Sequence, residues 1–213
     1  MIILKFVVEL AYLQRGDLNG TPLIFLHGFL GNKEDFLPLI EALGEQYLSF
    51  AVDLPGHGET PLEMGGDDLW RETLLALERF LDQHQLIKAS FVGYSMGGRI
   101  LLRFWEEFRQ RIDHLFILSA HLGLSRPEEA QEKWGELLQK GNMDQFLLEW
   151  YAQPLFASLK KDSVQFQHLM EKRKKNNPHF LKKALEGFSL AKQKQYREEE
   201  GIYFFYGEHD VKY

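Results

Sequence analysis

The chain has 213 residues, 45% of them apolar and 26% charged, with a formal net charge of −6, which suits one globular unit with a sizeable core. The acidic balance argues against a general nucleic-acid binder, which needs a basic face, so an anionic substrate must be met by local Arg and Lys. The absence of cysteine excludes disulfides, Cys-ligated zinc and a thiol nucleophile, and suits the cytoplasm.

The opening MIILKFVVELAYLQRG is apolar but carries Lys5 and Glu9. It has no small-residue cleavage site and is too short to span a bilayer, so no membrane insertion is expected. Its partial alternation predicts an opening strand. PLIFLH (22–27) predicts a buried strand and KEDFLPLIEALGE (33–45) a helix ending near Gly44. YLSFAVD (47–53) predicts a strand, closed by the Gly- and Pro-rich loop LPGHGET. An amphipathic helix follows over 67–84, with Asp67 and Asp68 at its positive end. ASFVG (89–93) is a strand, MGGRILLRFWEEF (96–108) a helix with Ile100, Phe104 and Phe108 on one face, and IDHLFILSA (112–120) a strand. From about 122 to 195 the pattern is helical only, and GIYFFYGEHD (201–210) returns to strand character.

Strands alternating with helices predict an α/β fold with a mostly parallel sheet covered on both faces. The expected organisation is a core over 1–121, a helical lid inserted over 122–195, and a core strand with an acidic loop over 196–213.

The chemistry centres on VGYSMGG (92–98). An apolar strand precedes Ser95 and a helix follows it, which is the strand–turn–helix that a nucleophile elbow requires. Gly93 and Gly97 leave room for the turn, and the helix N-terminus beneath favours developing negative charge. FLHGFLGN (25–32) puts backbone N–H groups at the same sheet edge, so the N–H of Phe29 and that of Met96 are the expected oxyanion hole. DLPGHG (53–58) shapes the floor of the site. His27 and His57 read as structural residues as readily as catalytic ones. In YGEHD, Asp210 follows a strand and Gly207, where a triad acid is expected.

A triad with the order Ser, Asp, His needs a histidine after the acid, and only Val211, Lys212 and Tyr213 follow Asp210. All eight histidines precede it. The expectation is that the imidazole belongs to a segment this chain lacks and that the chain by itself is nearly inactive, since a triad without its base loses about 10⁴-fold in rate.

In order along the chain, FLHGFLG, DLPGHG, VGYSMGGR and YGEHD resemble the α/β-hydrolase superfamily. More narrowly, EWYAQPLFASL (149–159), KRKKNNPHFLKKALEGFSLAKQ (172–193) and Arg99 after GYSMGG resemble the 2-succinyl-6-hydroxy-2,4-cyclohexadiene-1-carboxylate synthases of menaquinone biosynthesis. The resemblance runs from about residue 22 to the end. It implies an α/β-hydrolase fold with a helical lid, without the last strand, the histidine loop and the final helix of that family. It implies a lyase that eliminates pyruvate from a small multi-carboxylate substrate and needs no cofactor or metal. Ser95 would act as base on a carbon-bound proton. Arg99, Arg173 and Lys133 would neutralise substrate carboxylates, and Tyr94, Trp150 and Phe156 would line the pocket. The family places an arginine where ungapped counting puts Lys133; lysine keeps the charge but loses the bidentate fork.

Two other readings remain open on sequence. A general serine hydrolase of the same fold, an esterase or a C–C hydrolase, would not need Arg99 beside the nucleophile. A non-catalytic remnant would explain the missing histidine but not the intact elbow and acid.

Overall fold

The computed structural model describes residues 8–62, 68–123, 132–197 and 199–208. Six strands form one sheet in the order β1-β3-β2-β4-β5-β6. They are β1 (Tyr12–Arg15), β2 (Thr21–Leu26), β3 (Tyr47–Val52), β4 (Ala89–Tyr94), β5 (Ile112–Leu118) and β6 (Ile202–Phe205). Among the described residues only β1 runs antiparallel to its neighbour, and every other pairing is parallel. Among the described residues the opening strand expected from the sequence spans Tyr12–Arg15, and residues 1–7 lie outside the described set.

The central strands are apolar without alternation because both faces are covered. In β2, Ile24 and Leu26 point into the larger core with Phe50, Val52 and Phe91, whereas Leu23 and Phe25 point to the other face with Phe36, Ile40 and Ala51. Two helices close the larger core. Helix α2 (Leu69–Gln83) begins where the Asp68 carboxylate accepts from the Arg71 N–H at 3.2 Å, and it buries Trp70, Leu74, Leu77, Phe80 and Leu81. Helix α3 (Met96–Phe108) buries Ile100, Leu101, Phe104 and Phe108, the face its sequence spacing predicts.

The helix expected over 33–45 divides into a 3-10 turn (Lys33–Phe36) and α1 (Leu37–Leu43). Pro38 explains the division: a ring without an N–H fits the first turn of an α-helix and not its interior.

Between β5 and β6 lie α4 (Glu132–Gln139), α5 (Met143–Ala152), α6 (Ser163–Lys174) and α7 (Pro178–Gly187), with a 3-10 helix at Pro154–Lys161 that the sequence pattern did not reveal. Asn142, Asp162 and Asn177 cap α5, α6 and α7 through their side chains. These helices share their own core of Leu138, Phe146, Leu147, Tyr151, Leu181 and Leu185. One residue of the β2–α1 loop, Leu30, belongs to that core as well. Among the described residues no helix is long and apolar enough to cross a membrane.

Candidate active site

The site assembles at the C-terminal ends of β2 and β4. Ser95 links β4 to α3 with φ 50° and ψ −110°, a conformation that L-residues avoid and that lifts the side chain out of the turn. The glycines around it are required by close approach. A Cβ on Gly97 would collide with the Leu26 carbonyl oxygen, and one on Gly93 would lie 2.7 Å from the Gly98 backbone nitrogen. The elbow is sharp because α3 starts directly against the end of β2 and folds back over β4. Ser95 N–H donates to the Leu118 carbonyl at 2.9 Å, which ties the turn to the end of β5.

Among the described residues the N–H groups of Phe29 and Met96 meet no acceptor within the protein. Met96 N–H is free because it opens α3, where the first-turn amides lack intrahelical partners. The loop carrying Phe29 touches the elbow: a Cβ on Gly28 would lie 2.9 Å from the Tyr94 ring and 3.4 Å from the Ser95 Cβ. Two unpaired donors thus flank the serine at the positive end of a helix.

The two candidate histidines take structural positions. His27 Nε2 accepts from the Leu54 N–H at 3.0 Å, so its Nδ1 carries the proton and donates to the Gly28 carbonyl at 2.7 Å. Burial lowers its pKa despite that hydrogen bond, and His27 is neutral. His57 is held well below the ordinary value by burial and by His27 beside it. Its Nδ1 lies 3.3 Å from the Pro55 carbonyl, and its Nε2 is buried without a partner. Asp53 is wholly buried, where it accepts from the backbone N–H of Lys33 and Glu59 and pairs with the Lys33 ammonium at 2.8 Å. The DLPGHG loop is therefore stitched to the loop after β2, as a floor requires.

A cleft of about 600 Å³ opens above Ser95, and it gathers residues from the sheet edge and the inserted helices. Of the residues singled out by sequence, Phe29, Tyr94, Ser95, Met96, Arg99, Trp150 and Phe156 line it. Tyr94 is 45% exposed, with its ring at the mouth. Trp150 and Phe156 also pack within the insertion, Trp150 stacked on Phe146 at 5.6 Å and beside Phe29 at 5.2 Å. One aromatic group thus serves both core and wall. Arg99, one helical turn beyond Ser95, reaches the cleft and donates to the Phe188 carbonyl at 2.7 Å.

Arg173 takes a different place. It is not among the cleft-lining residues; the residue is 8% exposed and its guanidinium grips Asp35 bidentately at 3.1 and 2.6 Å. Burial opposes its charge, but Asp35 and, to a lesser extent, the Tyr151 hydroxyl together outweigh it and its pKa is raised. The neighbouring Lys172 and Lys174 are the solvent-facing members of the basic run, paired with Glu34 and with Asp144 and Glu171. Lys133 falls in the first turn of α4, and its side chain lies outside the described residues. Asp210 also lies outside them, while Gly207 and Glu208, just before it, line the cleft.

Sequence reasoning did not single out Lys161, Ser119 or the α7 residues Ala184 and Leu185, all of which line the cleft. Nothing local marks them, since only the folding of the insertion over the sheet brings them there. His121 also lines the cleft; its Nδ1 accepts from the Gly123 N–H at 3.0 Å, so the neutral ring carries its proton on Nε2. Among the described residues no histidine ring hydrogen-bonds the Ser95 hydroxyl.

A serine on a strand–elbow–helix, with donors from two loops at the C-terminal edge of a mostly parallel sheet, defines the alpha/beta hydrolase fold, and that family matches residues 21–199. Within it the chain is 32% identical over 213 residues to the 2-succinyl-6-hydroxy-2,4-cyclohexadiene-1-carboxylate synthase of Salmonella heidelberg, covering 93% of this chain and 81% of that protein. The synthase of Klebsiella pneumoniae is 30% identical over 210 residues, with 92% and 81% covered. The chain belongs to this synthase family of alpha/beta hydrolases. The solved structure of MenH from S. aureus superposes with a TM-score of 0.77 at 26% identity, over 88% of this chain and 73% of that one. The enol-lactonase from Burkholderia xenovorans, also at 0.77 but only 16% identical over 85% and 70%, shares the fold alone.

Proposed function

We propose that the protein is a lyase of menaquinone biosynthesis, working in the cytoplasm. It would eliminate pyruvate from 2-succinyl-5-enolpyruvyl-6-hydroxy-3-cyclohexene-1-carboxylate to give 2-succinyl-6-hydroxy-2,4-cyclohexadiene-1-carboxylate. The observation that carries the reading is a cleft in which the elbow serine and Arg99 face the same space, in a chain similar to synthases of that name.

Ser95, deprotonated by the imidazole of a Ser-His-Asp unit to which this chain contributes Ser95 and Asp210, removes a ring proton beside the succinyl carbonyl. Charge then builds on the carbonyl oxygen, where the N–H groups of Phe29 and Met96 stabilise it. The electron pair left on ring carbon 2 forms a double bond to carbon 3, the pair of the existing 3,4 double bond shifts between carbons 4 and 5, and the C–O bond from carbon 5 to the enolpyruvyl group breaks. The departing enolate takes up a proton and becomes pyruvate, so no acyl-enzyme forms. Arg99, with Lys133, meets the substrate carboxylates. Tyr94, Trp150 and Phe156 enclose the ring beneath the inserted helices, which act as a lid over 122–195.

Coupling pyruvate release to NADH oxidation by lactate dehydrogenase, in this chain completed with the C-terminal histidine segment of a relative, tests the reaction. Ser95→Ala is expected to abolish release. Arg99→Lys, which keeps a donor toward Phe188, is expected to cost about 2–5 kcal/mol in kcat/KM by losing the planar fork. Efficient cleavage of neutral esters with no pyruvate from the cyclohexene would assign the chain to the general hydrolases instead.

A further inference from the structure

The loop that carries the Phe29 N–H is held from above as well as from below. From below, His27 fixes the Gly28 carbonyl and the Leu54 N–H. From above, α6 and the turn after it supply two anchors. The Asn176 amide donates to the Leu30 carbonyl at 3.0 Å and to the Arg173 carbonyl at 3.2 Å. The Arg173 guanidinium takes both oxygens of Asp35, and Asp35 Oδ2 also accepts from the Asn32 N–H at 3.3 Å. Between these anchors Leu30 adopts φ 69°, in the left-handed region, with its side chain fully buried in the core of the insertion. An unstrained leucine would not choose that conformation, so the surroundings impose it. Phe29 itself is wedged between His57 at 5.6 Å and Trp150 at 5.2 Å.

We infer that Arg173 and Asn176 are positioning residues, which set the Phe29 N–H by gripping the loop at the Asp35 carboxylate and the Leu30 carbonyl. The inference rests on the reading of Phe29 and Met96 as the oxyanion donors. Its consequence is a coupling: the donor pair is complete only while α6 sits on the loop, so the helices that enclose the substrate also assemble the group that stabilises its developing charge. Arg173 acts here through Asp35 and not by touching substrate.

The test uses Arg173→Lys, which keeps the charge and loses the fork, with Asn176→Ala and Asp35→Asn. Hydrogen–deuterium exchange of the purified protein reads the loop directly. Each variant is expected to raise exchange across residues 27–36 by ~10-fold or more, with β4 and β5 at wild-type rates. In turnover of the chain completed with a relative's histidine segment, kcat is expected to fall about 10–100-fold, the scale of a misplaced catalytic group. KM should stay within about threefold, because the interaction lost is made only in the transition state. Asp35→Asn should match Arg173→Lys. Unchanged exchange over 27–36 in both Arg173→Lys and Asn176→Ala would overturn the inference. So would a raised KM with intact kcat in Arg173→Lys while Asp35→Asn is silent, the signature of a carboxylate clamp. A chain completed with the histidine segment of a relative that still releases no pyruvate would count against the proposed reaction, and the exchange measurement would still decide this inference.

Discussion

Ser95 carries backbone strain of roughly 1–3 kcal/mol because its φ is positive and it is not glycine. The fold tolerates that strain because the position needs a hydroxyl. Ser95→Gly is therefore expected to raise stability by about 1 kcal/mol while removing the hydroxyl, whereas Ser95→Ala keeps the strain and gains little. Urea denaturation of the two variants side by side distinguishes them, and equal midpoints would show that the elbow is relaxed. His27 and His57 make a second prediction. Both are held neutral by burial, His27 below and His57 well below the ordinary value, so the folded state binds fewer protons than the unfolded state in mild acid. Their contribution is fully present above about pH 6.5 and is lost as pH falls below the unfolded value, with a slope approaching 1.4 kcal/mol per pH unit for each ring. Unfolding free energies measured from pH 7.5 down to 5.5 should show that loss. Replacing His57 with Gln should flatten the curve.

At the level of elements, two glycines in helices behave oppositely for reasons legible in their surroundings. Gly97 sits where α3 meets β2, and an added Cβ meets backbone oxygens that no rotamer change can move. Gly97→Ala is expected to destabilise by about 1–3 kcal/mol or more, as overpacking does. Gly135 lies within α4 with a normal φ, and its nearest obstacle is the Glu186 carboxylate at 3.7 Å. There Gly135→Ala should stabilise by roughly 0.5–1 kcal/mol through helix propensity alone. Thermal melts of both variants check the pair, and a common sign would refute the assignment of close approach. The elements best anticipated from sequence, α2 and α3, are long and strongly amphipathic and carry a capping Asp68 or the elbow itself. The ones least anticipated, the 3-10 turns at Lys33–Phe36 and Pro154–Lys161, are short and lack a repeating apolar face.

Across the whole molecule, the sheet and the insertion have separate apolar cores that meet at Phe29 and along α7, whose Ala184 packs in the first and Leu181 and Leu185 in the second. The insertion's core is much the smaller, and smaller clusters open locally at lower free energy. Amides of α5 and α6 are accordingly expected to exchange faster than those of β2, β4 and α3, in a regime that denaturant accelerates little. Equal protection of the two regions would mean that they unfold as one unit. The sequence by itself determined the alternation of strands and helices, the elbow at Ser95, and Arg99 one turn beyond it. These depend on apolar periodicity, on glycines at fixed offsets and on helical spacing, all of which act within about ten residues. Only the tertiary structure decided that Arg173 grips Asp35, that Leu30 belongs to the core of the insertion, and that Lys161 and Ser119 face the cleft. Arg173 and Asp35 are 138 residues apart, and no local pattern records a partner at that distance. A basic run looks the same in sequence whether its arginine meets solvent, substrate or a buried carboxylate, because the choice is made by burial, and burial exists only once the helices have packed.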